Sequence, residues 1–226
     1  MRSALVTGGS SGIGYALARM LREDEYDVTV VARRPDKLEA AAHELGVTAI
    51  PANLADGDEC VRVVAAHVDR CGGMDVLVNS AGLGVGGLFA DLDTKRLDLQ
   101  LDVNLRSTLI VTRESLPLLR SSKGQIVTIA SIAGTIPTPS LAVYGATKAA
   151  LIAFTNSLNR EEADNGVRAT AICPAFVATP MTEWTGIPPE EMIQVEDVVD
   201  LVQAVLQLSP RARVPQIVVE RVGDVV

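Results

Sequence analysis

Aromatic residues are scarce in this sequence: one Trp, three Tyr and three Phe among 226 residues. A core for a chain of this length must therefore be built from Val, Leu, Ile and Ala, which suits a buried parallel sheet covered by helices. Cysteine is scarce too. Cys60, Cys71 and Cys173 are odd in number, no Cys-x-x-Cys pair occurs, and His43 and His67 stand far from any such pair. A disulfide framework and a zinc site are thereby excluded, the three read as free structural thiols, and no metal is expected. Long apolar runs are missing, and nothing reaches membrane-spanning length. Met1-Arg2-Ser3 leads at once into an apolar run that Gly8-Gly9 interrupts, too short for a signal peptide, so a cytoplasmic protein without a membrane partner is expected. Positive charge is in deficit. With a formal net charge of -8 and no long Lys/Arg run, the surface repels phosphate backbones, which excludes nucleic acid as a partner. An anionic cofactor would have to be gripped by local features.

What is present is a regular alternation of strand and helix. Strands are expected at Ala4–Val6, Val28–Val31, Val47–Pro51, Asp75–Val78, Gln125–Ile129, Val167–Ile172 and Gln216–Glu220. Helices are expected at Gly12–Leu21, Asp36–Leu45, Asp56–Arg70, Asp93–Leu119 (with Pro117 near its end), Leu141–Ala163 and Glu196–Leu208. Short links between such units imply an α/β domain, a parallel sheet with helices on both faces. No linker, repeat or low-complexity segment divides the chain, so residues 1–226 read as one domain. Ligands in such sheets bind at the carboxyl ends of the strands, where strand order reverses.

Thr7-Gly8-Gly9-Ser10-Ser11-Gly12-Ile13-Gly14 joins the first strand to the first helix. Glycines allow a tight turn and close approach to a pyrophosphate, and the helix N-terminus offers unpaired N–H groups with partial positive charge. Further motifs follow in order: Asn79-Ser80-Ala81-Gly82 closing the fourth strand, Asn104 in the next helix, Ser131 after the fifth strand, Tyr144-x-x-x-Lys148, and Pro174 to Pro180 after the sixth strand. Together these resemble the short-chain dehydrogenase/reductase family across nearly the whole chain. The resemblance implies a Rossmann-type doubly wound parallel sheet. Ala175 stands where the family usually has Gly, Ser80 where it has a second Asn, and Asn53 where Asp is common. The chain also ends soon after its last strand, without the usual Asp-Gly-Gly tail.

Tyr144 and Lys148, four residues apart, share one helix face. Hydride transfer to or from a carbon must be matched by a proton on the oxygen. A phenol near pKa 10 is a poor base, and a neighbouring ammonium is expected to lower that value; a drop of roughly two units would represent about 2.7 kcal/mol. The hydroxyl of Ser131 can donate to the substrate oxygen. By resemblance, Tyr144 is the general acid/base, Lys148 also binds the nicotinamide ribose, and Asn104 holds a water in the proton relay. A helix kink is the structural role open to Asn104, and both can hold. Asn79 can equally serve only to brace the sheet.

The resemblance implies cofactor contacts at Gly8, Ser10, Ser11, Gly12, Ile13, Gly14, Arg33, Arg34, Asn53, Leu54, Asn79, Ala81, Gly82, Tyr144, Lys148, Pro174, Val177 and Thr179. NADP(H) is the expected cofactor. The second strand ends Val30-Val31-Ala32-Arg33-Arg34, with no carboxylate before Asp36 to repel a 2′-phosphate, and an Arg fork suits phosphate. That both arginines are solvated surface charges stays open. By resemblance again, residues 82–89, 132–141 and 175–193 line the substrate pocket, offering Leu83, Leu88, Ile132, Leu141, Met181 and Trp184. No Arg stands in these segments to grip an anion, so an uncharged carbonyl or alcohol is the expected substrate, and a homodimer or homotetramer the expected assembly. A non-catalytic nucleotide-sensing or interaction protein on the same fold, and an epimerase or dehydratase using bound nicotinamide, are the alternatives.

Overall fold

The structure, a computed structural model, describes residues 1–223. Seven strands run β1 Ser3–Thr7, β2 Asp27–Ala32, β3 Thr48–Pro51, β4 Val76–Asn79, β5 Gln125–Ile129, β6 Arg168–Pro174 and β7 Gln216–Val219. They form one parallel sheet in the order β3-β2-β1-β4-β5-β6-β7. The order reverses between β1 and β4, and Thr7 pairs with Val31 of β2 on one side and Asn79 of β4 on the other. The carboxyl ends of these strands thus finish level, beneath the crevice where such sheets hold ligands.

The period-two alternation of the strands divides the core. Ala4, Val6, Val28, Val30, Val76, Val78, Val127 and Ile129 face α1 (Gly12–Glu23), α2 (Pro35–Leu45) and α7 (Val195–Leu206). Leu5, Val31, Leu77 and Ile126 face α3 (Gly57–Cys71), α5 (Ser107–Ser122) and α6 (Ala142–Glu161). Both faces bury aliphatic side chains, as the near-continuous apolar strands require.

The segment read as a single helix over residues 93–119 is three pieces: α4 (Thr94–Leu101), a π-turn over Asp102–Arg106, and α5, which continues past Pro117 to Ser122. The extra residue of a π-turn rotates the side chains that follow. Hydrophobic period cannot register so local an insertion. Strand and helix ends elsewhere differ from the expected ones by no more than two residues, the usual fraying of such boundaries. At β6 the strand runs on two residues to Pro174, where Ala171 to Pro174 pair with β7.

Candidate active site

The glycine turn follows β1 directly. Gly8 has φ +73, and a Cβ on it would lie 2.8 Å from the Ala81 nitrogen; a Cβ on Gly14 would collide with the Gly8 carbonyl. Only glycine lets β1, the turn and α1 come this close to the end of β4. Thr7 ties the same junction, its Oγ1 accepting from the N–H groups of Ser80 and Ala81 at 3.1 and 3.2 Å. At the start of α1 the N-cap Ser11 makes no side-chain cap, and the first turn carries no acid. The unpaired N–H groups there face a cleft of about 470 Å³, across which Thr179 approaches Gly12. An uncapped helix start without a carboxylate, opening on a cleft, suits an anion.

Ser131, Tyr144 and Lys148 line the same cleft. Ser131, two residues beyond β5, is the N-cap of a short 3-10 turn, and its Oγ accepts from the Ala133 N–H at 3.2 Å. Its acceptor role is thus met locally, and its proton remains to donate. Tyr144 and Lys148 rise one turn apart from the first half of α6, with the Lys148 Nζ 5.5 Å from the Tyr144 ring centre. Lys148 is buried, and its Nζ donates to the Ile129 carbonyl at the end of β5 (2.7 Å). Burial lowers the Lys148 amine to about 8, with nearby Cys173 acting in the opposite sense. Burial also raises the Tyr144 phenol above its ordinary value, opposed by a hydrogen bond with Ser131. Burial of Tyr144 thus acts in the opposite sense to the lowering expected from Lys148, because desolvation disfavours the phenolate.

Asn104 sits in the π-turn, fully buried. Its Oδ1 accepts from the Leu83 N–H and its Nδ2 donates to the Leu83 carbonyl, both at 2.8 Å. A Cβ on Gly82 would stand 3.5 Å from Asn104 Oδ1 and 3.6 Å from Lys148 Nζ. The π-turn thus delivers Asn104 to the end of β4 beside Lys148, and it acts there on the backbone.

The family model described as short chain dehydrogenase matches residues 2–186. The chain belongs to the short chain dehydrogenase family. It is 36% identical to an uncharacterized oxidoreductase of Staphylococcus epidermidis, over 97% of this chain and 96% of that one. Among solved structures it resembles an alcohol dehydrogenase from the archaeon Thermococcus sibiricus complexed with 5-hydroxy-NADP, with TM-score 0.91 and 27% identity over 99% of this chain and 98% of that one. It also resembles an actinorhodin polyketide ketoreductase variant with NADPH, with TM-score 0.88 and 30% identity over 97% and 95% of the two chains.

For a short chain dehydrogenase, the remaining expected residues divide clearly. Gly8, Ser10, Ser11, Gly12, Ile13, Gly14, Gly82, Pro174, Val177 and Thr179 line the cleft. Arg33 and Arg34 do not, but both are exposed where β2 ends beside the glycine turn. The N–H groups of Gly8 and Gly9 donate to the Val31 carbonyl at 2.7 and 3.2 Å. Asn53 is exposed, its Oδ1 accepting from the Ala55 N–H. The side chain of Leu54 is spent in the core, and that of the partly buried Ala81 packs against the same cluster, so only their backbone is on offer. Asn79 is buried, with Nδ2 donating to Thr112 on α5 at 3.1 Å, so its side chain braces β4 against a helix. Of the apolar residues expected around the substrate, Ile132, Leu141, Met181 and Trp184 line the cleft; Leu83 and Leu88 do not. Ile136 and Phe176, within the segments expected around the substrate, line the cleft, as does Ile129 at the end of β5, which no motif marks. Thr7 stands in the glycine motif, but its contact with Ser80 and Ala81 spans more than seventy residues and leaves no local signal.

Proposed function

We propose that this chain is an NADP(H)-dependent oxidoreductase that interconverts a ketone or aldehyde and the corresponding alcohol, within a single cofactor-binding and catalytic domain. The observation that carries the reading is the meeting of Ser131, Tyr144 and Lys148 with the Gly8–Gly14 turn around one cleft. A nucleotide-sensing protein would need the turn but not this trio.

The residues present fit the cofactor. The uncapped start of α1 suits the pyrophosphate. Arg33 and Arg34, exposed and engaged in no ion pair among the described residues, suit a ribose 2′-phosphate. The bound NADP in the Thermococcus neighbour and NADPH in the ketoreductase support this class. When bound, the nicotinamide supplies or takes up a hydride. Tyr144 moves the matching proton at its hydroxyl. Burial keeps that phenol protonated, the form needed to give a proton as a carbonyl becomes an alcohol. Ser131 donates to the substrate oxygen as charge develops on it. Lys148 is held in place by the Ile129 carbonyl, and Asn104 holds the Leu83 backbone beside it.

The same reading includes a homo-oligomer, dimer or tetramer, in the cytoplasm. Ile110 and Leu116 on α5 and Phe154 on α6 are only partly buried, and Leu101 on α4 is exposed, which supports a second copy against these helices.

The test of the main reading mixes purified protein, NADPH and a panel of ketones and aldehydes, and follows cofactor absorbance. Net oxidation of NADPH with formation of alcohol is expected. Conversion of substrate without net cofactor oxidation would favour an epimerase or dehydratase instead.

A further inference from the structure

We infer that the substrate is a neutral carbonyl compound whose carbonyl carries a bulky apolar group, and that Trp184 is the residue that selects for it; this rests on the reading under Proposed function. In the cleft, Ser131, Tyr144 and Lys148 stand in a lining that is mostly apolar, with Ser10, Ser11, Ser80, Thr138, Thr179 and Thr182 as its other hydroxyl groups. Lys148 is the sole charged residue that lines the cleft, and its ammonium is buried on the Ile129 carbonyl. The apolar lining includes Ile132, Ile136, Leu141, Phe176, Met181 and Trp184. Trp184 packs edge-on against Phe176, with ring centres 6.4 Å apart and planes at 81°. Its indole is nevertheless 66% exposed, on a one-turn 3-10 helix over Glu183–Thr185, and Met181 beside it is 44% exposed.

The segments expected around the substrate, residues 82–89, 132–141 and 175–193, contain Glu183, Glu190 and Glu191 and no Lys or Arg. Arg221 pairs with Glu191 at 4.0 Å. A carboxylate or phosphate on the substrate would find no cation in the lining except Lys148, already held by the Ile129 carbonyl, and burying an unpaired charge is costly. An apolar group gains by covering the exposed faces of Trp184 and Met181. The occupant that satisfies both is neutral and apolar, with its carbonyl directed at Tyr144. Its reduction is balanced: the carbon takes a hydride from NADPH, the oxygen takes a proton through Tyr144, the C=O π bond breaks, and an alcohol and NADP+ leave.

Three ring ketones separate the ideas: cyclohexanone, 4-tert-butylcyclohexanone, and 4-oxocyclohexanecarboxylate. With the whole protein and NADPH, kcat/KM for the tert-butyl compound is expected to exceed that for cyclohexanone by about tenfold or more, and for the carboxylate by about a hundredfold. Trp184→Ala should cut the tert-butyl preference over cyclohexanone by about tenfold, with an unchanged melting temperature showing an intact fold. Equal or better turnover of the carboxylate, or an unaltered preference in W184A, overturns the inference. Trp184 is the only Trp in the chain, so its emission reads binding without catalysis. With NADP+ present, 4-tert-butylcyclohexanone should shift that emission to shorter wavelength and the carboxylate should not. If none of the three is reduced, the proposed activity fails for these ketones. The emission titration then decides the pocket alone: selective response to the tert-butyl compound upholds it, and equal or absent responses overturn it.

Discussion

Asn104 clasps Leu83 at both of its backbone polar groups, accepting from the N–H and donating to the carbonyl at 2.8 Å each. Asparagine has a donor and an acceptor on one planar group, so a single side chain closes this pair as a neighbouring strand would. The clasp fixes the chain leaving β4, beside Lys148, where Gly82 and Gly84 line the cleft. Asn104→Ala leaves two backbone groups without partners, at about 1–3 kcal/mol each. A lower melting temperature and at least a tenfold drop in kcat/KM are expected. Asn104→Asp keeps the acceptor alone and should fall between. Wild-type stability and turnover in both variants would show the clasp to be incidental.

Tyr144→Phe keeps the ring and removes the hydroxyl that Ser131 engages. Turnover should fall by roughly 10²–10⁴-fold, the scale of general acid–base catalysis. NADPH affinity, read by fluorescence titration, should change by no more than about twofold. Substantial residual reduction in a folded variant would remove Tyr144 from the proton-transfer role.

Arg33→Ala tests the cofactor preference. Loss of a charge-assisted hydrogen bond should weaken NADPH by about 1.5–3 kcal/mol. NADH has no 2′-phosphate and its affinity should scarcely move. Equal losses for both, or a wild-type protein that prefers NADH, would refute the assignment; Arg34→Ala tells whether the second arginine shares the contact.

His67 predicts a pH dependence of stability remote from the cleft. The ring is fully buried, with Nδ1 2.8 Å from Thr29 Oγ1, and Asp27, Arg70 and Cys71 around it. Burial first, and Arg70 second, lower its pKa from 6.5 to about 4. Between those values the unfolded chain binds the proton and the folded chain does not. Stability is therefore full above pH 6.5 and declines as pH falls toward 4, by at most roughly 3 kcal/mol from this group. In urea unfolding at pH 7 and pH 4.5, His67→Leu should lose less stability on acidification than wild type. Thr29 keeps the Arg70 Nη2 as a donor at 3.0 Å, so its hydroxyl is not orphaned. Parallel acid losses in the two proteins would exclude His67 as the source.

The oligomer is tested by mass. Light scattering at micromolar concentration should return a multiple of 23.8 kDa, and a monomer mass there would end the idea.

The residues alone determined the order of strands and helices, the glycine turn, and the position of Tyr144 one turn before Lys148. These are local matters, set by side-chain period, by the steric freedom of glycine and by helix pitch. Packing decided the rest. The π-turn at Asp102–Arg106 interrupts what period alone reads as one helix. Asn104 meets Leu83 across 21 residues, and Asn79 turns to Thr112 across 33. The sense of the Tyr144 shift depended on burial, not on the spacing to Lys148. Spacing in sequence reports which groups share a helix face. How much water they keep, and which distant backbone they touch, follow only from the way the layers close over them.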